Sequence, residues 1–141
     1  GFAALPHAFT LQCCYGHFVH AGQPVPDNLE PLPPGGAGSV RYRIAYLALC
    51  IENSADGRRL YAALSELPEI DPAHIQFGSP TWFRGQYRNA FALQVEPLRF
   101  AHQDEAILEH EEALHVQQIR DRFFARLEEI VAARLAELRA G

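Results

Sequence analysis

The residues best suited to chemistry lie near the start of the C-terminal third of the chain. Glu112-Ala113-Leu114-His115 places a carboxylate and an imidazole three residues apart, on one side of a helix. That spacing can hold a divalent metal such as zinc. At 100° per residue, Glu105 and Glu109 fall on the same side, along the stripe formed by Leu108, Val116, Ile119, Phe123, Leu127 and Ile130. A carboxylate held against an apolar wall without a partner is costly or takes up a proton. The run therefore ligates a cation, projects into solvent, or meets arginines from elsewhere in the chain.

A second group supplies thiols and imidazoles: Cys13, Cys14, His17 and His20 fall within eight residues. One reading joins the two groups, with Glu112, His115 and His17 around a metal and Cys13 or Glu109 completing it. Another makes His17 the base for a Cys14 nucleophile, with Glu112 in the same catalytic pocket. The spacing C-C-x-x-H-x-x-H matches no standard zinc pattern, and the thiols equally suit small buried apolar positions. A third group, Trp82, Arg84 and Tyr87, concentrates aromatic side chains that could line a ligand pocket or plug a core edge.

The elements that must position these groups follow from the apolar periodicity. Phe9 to His20 predicts one strand, with Cys13 and His17 on a shared face. Residues 21–39 hold five prolines and four glycines, which predicts a long irregular loop. Val40 to Glu52 predicts a central strand, apolar on both faces after Arg43. Asn53-Ser54 offers a cap for a helix over Ala55 to Leu67, which Pro68 ends. A turn at Asp71-Pro72, a short strand at Ile75-Gln76-Phe77 and a strand from Arg88 to Glu96 come next. Asp104 to Arg139 predicts one very long helix. Together these describe an α+β fold: an antiparallel sheet of about four strands with two helices packed on one face.

Composition bounds the function. With 141 residues, 48% of them apolar, the chain suffices for a single domain with its own core. A net charge of −5 argues against a nucleic-acid surface. No apolar run reaches membrane-spanning length and the first twenty residues lack a secretory pattern, so the expected setting is soluble and cytoplasmic. All twelve basic residues are arginine, a bacterial-type, GC-rich composition, and the missing initial methionine suggests a processed chain or part of a longer one. Three cysteines, two of them adjacent, favour reduced thiols.

The expected function is accordingly a divalent-metal-dependent or Cys/His-type enzyme acting on a small molecule. The alternative is a non-catalytic homodimeric module that binds a ligand or another protein. The dimer expectation rests on length: 36 residues of helix span about 54 Å, against roughly 35–40 Å for a compact chain of this size. Phe123, Phe124, Leu127, Ile130, Val131, Leu135 and Leu138 would leave an apolar side for a two-fold copy to cover.

Overall fold

Two extended stretches of the chain change sheet part-way along, a third segment crosses between the sheets through a turn, and this splitting shapes the molecule. The structure, a computed structural model, describes residues 1–23, 25, 31–79 and 88–140. Its strands are β1 (Ala8–Cys14), β2 (His17–His20), β3 (Ser39–Arg43), β4 (Ala45–Ile51), β5 (Ile75–Gly78), β6 (Ala90–Val95) and β7 (Glu105–Glu109). They form a four-stranded sheet ordered β1-β4-β6-β5 and a three-stranded sheet ordered β2-β3-β7, with every pairing antiparallel. Helices α1 (Ala55–Ser65) and α2 (His110–Ala140) complete an α+β architecture. Both sheets and both helices contribute to one buried apolar cluster, in which Tyr42, Leu49, Leu93, Leu108 and Phe123 are at most 1% exposed.

Each change of sheet has a local cause. The strand expected over Phe9 to His20 breaks at Tyr15-Gly16, where Gly16 has φ +90 and an added Cβ would stand 2.9 Å from that of Ala45. Only glycine meets both demands. The buried Arg120 guanidinium clamps this turn, donating to the Gly16 carbonyl at 3.2 Å and stacking over Tyr15 and Phe18. The strand expected over Val40 to Glu52 breaks at Ile44. There the buried Tyr42 hydroxyl accepts the Ala45 N–H at 2.9 Å and donates to the Val95 carbonyl at 2.8 Å, while the Ile44 N–H turns to the Asp104 carbonyl at 3.0 Å. A side chain thus satisfies the backbone groups that the interrupted ladder leaves behind. Between β6 and β7 the chain makes a short 3-10 turn at Leu98–Phe100 and then places His102 in the left-handed region at φ 68.

The helices begin and end as their residues dictate, with one correction. Ser54 caps α1 by accepting the Gly57 N–H at 3.1 Å, and Leu60 and Leu64 are buried. A 3-10 turn, Leu67–Ile70, follows and packs against α2. The long helix does not start at Asp104. Residues Glu105–Glu109 are β7, in which Ala106 and Leu108 are buried while Glu105, Ile107 and Glu109 are exposed. Alternation with period two carries Glu105 and Glu109 outward, so they never join the apolar stripe of the helix.

Helix α2 runs for 31 residues, and Leu127, Ile130 and Val131 are 5–6% exposed within this one chain. The stripe that suggested an overhang is therefore largely covered, leaving Leu138 as its exposed apolar residue near the end. Of the Pro/Gly-rich loop, Leu32 is buried and donates its N–H to the Gln117 side chain at 2.8 Å, and Gly36 lies against the His110 ring. This part of the loop rests on the first turns of α2. No helix among the described residues is long and apolar enough to cross a membrane.

Candidate metal centre

Asp71-Pro72-Ala73-His74 folds into a tight turn because the aspartate serves the backbone twice. Its Oδ1 accepts the Ala73 N–H at 3.1 Å, and its carbonyl accepts the N–H groups of His74 and Ile75 at 3.1 and 2.9 Å. The turn brings the His74 imidazole back onto the same carboxylate, with Nδ1 3.0 Å from Oδ1. Packing of the preceding 3-10 turn against α2 delivers this loop to His115, whose Nε2 stands 3.6 Å from Asp71 Oδ2. The two imidazole rings meet edge to face at 5.1 Å. Behind them, the Glu96 N–H donates to the His74 carbonyl at 2.7 Å and ties the loop to the end of β6.

One donor atom from each of Asp71, His74 and His115 lies within 4.8 Å of the other two, the one such group among the described residues. Donor atoms at about 2.0–2.1 Å from a tetrahedral zinc stand about 3.3 Å apart, so small side-chain adjustments would close the set. The Asp71 and His74 side chains are 22% and 17% exposed and that of His115 is 54% exposed, so the cluster opens on its helix side. Burial works to raise the Asp71 carboxyl, but the His74 hydrogen bond, assisted by the charges of both histidines, outweighs it and holds the group below its ordinary range.

Glu112 stands beside this cluster and is ionised for a reason of its own. Its Oε2 accepts from Arg99 at 2.5 Å, and that bond, with lesser help from His74 and His115, lowers its carboxyl below the usual value. An arginine from elsewhere in the chain thus meets this carboxylate, in the first turn of α2 where the helix dipole also favours negative charge.

Of the residues singled out from sequence, His115 is in the cluster and Glu112 at its edge. His17, Cys13 and Glu109 are not among the converging donors. The break at Gly16 assigns His17 to an edge of the smaller sheet, opposite Arg43, in a small cleft with Arg41 and Glu105. Cys13 and Cys14 lie on β1 and line a cavity of about 690 Å³ at the fork between the sheets, shared with Tyr46, Arg43, His102 and Asp104. All three cysteines are free, and burial raises the Cys50 thiol in the larger sheet. Glu109 pairs with Ser39 on the outer strand β7. Trp82, Arg84 and Tyr87 lie outside the described residues.

Asp71 and His74 escaped the sequence reading, although a signal existed. Asp71 and Glu112 are the two acidic residues that stand three positions before a histidine, and the structure sets those two pairs side by side. Comparison of the chain with protein-family models, with curated proteins and with solved structures finds no match.

Proposed function

We infer that the protein binds one divalent transition-metal ion, zinc by its donor set, through Asp71, His74 and His115, and that the exposed side of the centre admits a small molecule. The observation that carries this is the convergence of three donors from a loop and a helix far apart in sequence. Two imidazoles and one carboxylate form a set that suits zinc and leaves a coordination position open. Bound there, the ion would supply a Lewis acid that polarises an oxygen ligand.

The chain's own residues prepare that role. Asp71 is held ionised, so a cation meets a full negative charge and needs to displace no proton from it. Glu112, kept ionised by Arg99, offers a hydrogen-bond acceptor at the open edge, suited to a proton carried by an incoming hydroxyl or water. This arrangement favours a metal-dependent enzyme acting on a small molecule over a non-catalytic module.

Thermal melting tests the binding. Zinc at a hundred times its dissociation constant stabilises a folded protein by about 2.7 kcal/mol, which at this size raises Tm by roughly 8 °C. The rise is expected in the unaltered protein and absent in a His74→Ala, His115→Ala double variant. Equal shifts in both proteins would contradict the assignment.

A further inference from the structure

The fork between the sheets holds a second site, unrelated to the metal centre. We propose that the cavity lined by Arg43, Tyr46 and Asp104 binds a small organic acid that also carries a hydroxyl or amine. Its volume, about 690 Å³, falls within the range of small-molecule sites, and it is lined where the chain crosses from one sheet to the other.

The chemistry of the walls selects the ligand. Arg43 makes no ion pair with any described residue, even though Glu105 is its cross-strand neighbour on β7. An arginine with its fork unoccupied at a cavity wall suits a carboxylate, which it can bind through two parallel hydrogen bonds. The Tyr46 hydroxyl adds a donor. Burial first, then the neighbouring Cys14 and Asp104, push its phenol upward, so it keeps its proton at neutral pH. Among the described residues Asp104 is the one carboxylate lining the cavity, which places the acid end of a ligand toward Arg43 and a hydroxyl or amine toward Asp104.

The wall between these groups is held in an uncommon backbone state. His102, at φ 68, gives its backbone N–H to the buried carboxylate of Glu96. Left-handed backbone at a non-glycine residue costs energy and persists where the surroundings enforce it, often beside binding sites. Glu96 is thus a positioning residue for the cavity wall.

Cys13 and Cys14 report on the site without foreknowledge of the ligand. Iodoacetate and iodoacetamide both alkylate a thiolate: sulfur displaces iodide, a C–S bond replaces the C–I bond, and the thiol proton goes to buffer. The two reagents differ in charge. In the folded protein the ratio of iodoacetate to iodoacetamide rates at Cys13 and Cys14, followed by mass spectrometry, should exceed the ratio in urea by about fivefold, the scale of one charge pair in water-like surroundings. Arg43→Gln, at an exposed position, should return the ratio to its unfolded value, and Asp104→Asn should raise it further. Lactate should slow the iodoacetate reaction at lower concentration than propionate. A folded ratio no higher than the unfolded one, or one indifferent to Arg43→Gln, would overturn the proposal. Equal protection by the two acids would overturn the role given to Asp104.

Discussion

The Asp71, His74 and His115 cluster and the fork cavity differ in how their polar groups are occupied. At the cluster, Asp71 is hydrogen-bonded to the His74 imidazole and to a backbone N–H, and its other oxygen stands 3.6 Å from His115 Nε2. At the cavity, Arg43 faces open volume with no ion pair to a described residue. Donors brought this close suit one small shared ligand, which for two imidazoles and a carboxylate means a cation. An unoccupied guanidinium is open to any anion of suitable shape. The contrast teaches that proximity of donors and vacancy of donors mark different kinds of site.

Arg120 holds the turn at Gly16, between the strand that carries Cys13 and Cys14 and the one that carries His17. Arg120→Ala removes a buried hydrogen bond and two aromatic stacking contacts, and should cost about 3–4 kcal/mol by urea denaturation. Zinc affinity should stay within about threefold, because loss of a remote residue leaves the donors in place. A large fall in zinc affinity would show that the two regions are one unit.

Glu96 touches both regions, its N–H on His74 and its carboxylate on the N–H of His102. Burial raises this carboxyl to about 7, and one oxygen, Oε2, has no hydrogen-bond partner among the described residues. A raised carboxyl favours the folded state while protonated, so its contribution is full below the unfolded value near 4.5 and is lost as pH rises through about 7. Glu96→Gln should therefore add about 3 kcal/mol of stability at pH 9 and almost nothing at pH 4. Parallel stability profiles of the two proteins between those limits would contradict it.

The smallest effect is expected at Arg99, whose partner Glu112 is also partly exposed. Arg99→Gln should cost less than about 1 kcal/mol. A carbon-13 titration should nonetheless show the Glu112 carboxyl moving upward. Since a lowered carboxyl stabilises the fold above its unfolded value and loses that effect as pH falls, the variant should also lose less stability on acidification.

Much of the architecture was legible because apolar periodicity reports burial directly. The Ser54 cap, the strand around Tyr46 to Ile51 and the stripe from Val116 to Val131 all follow from residue order. The breaks were not legible. At Ile44 the pattern stays apolar on both sides because each sheet buries its residues, and the interruption depends on the Tyr42 hydroxyl reaching Val95, 53 positions away. Leu108 fits a helical stripe as well as an alternating strand, so periodicity alone extends the helix six residues too far toward the N-terminus. The same error placed Glu105 and Glu109 with Glu112. For the site, Glu112 and His115 were visible as a local pair, whereas Asp71 and His74 join them only through the packing of the Leu67–Ile70 turn on α2.

The proposed metal centre is made of Asp71, His74 and His115. Competition for zinc against a chromophoric chelator, with the protein freed of metal beforehand, tests it most directly. The prediction is one ion per chain in the unaltered protein, with affinity lowered in each of Asp71→Asn, His74→Ala and His115→Ala by at least the roughly 100-fold that loss of an outer-sphere partner can reach. His17→Ala should bind as the unaltered protein does. Zinc binding that persists in all three ligand variants, or that falls only with His17→Ala, would contradict the centre.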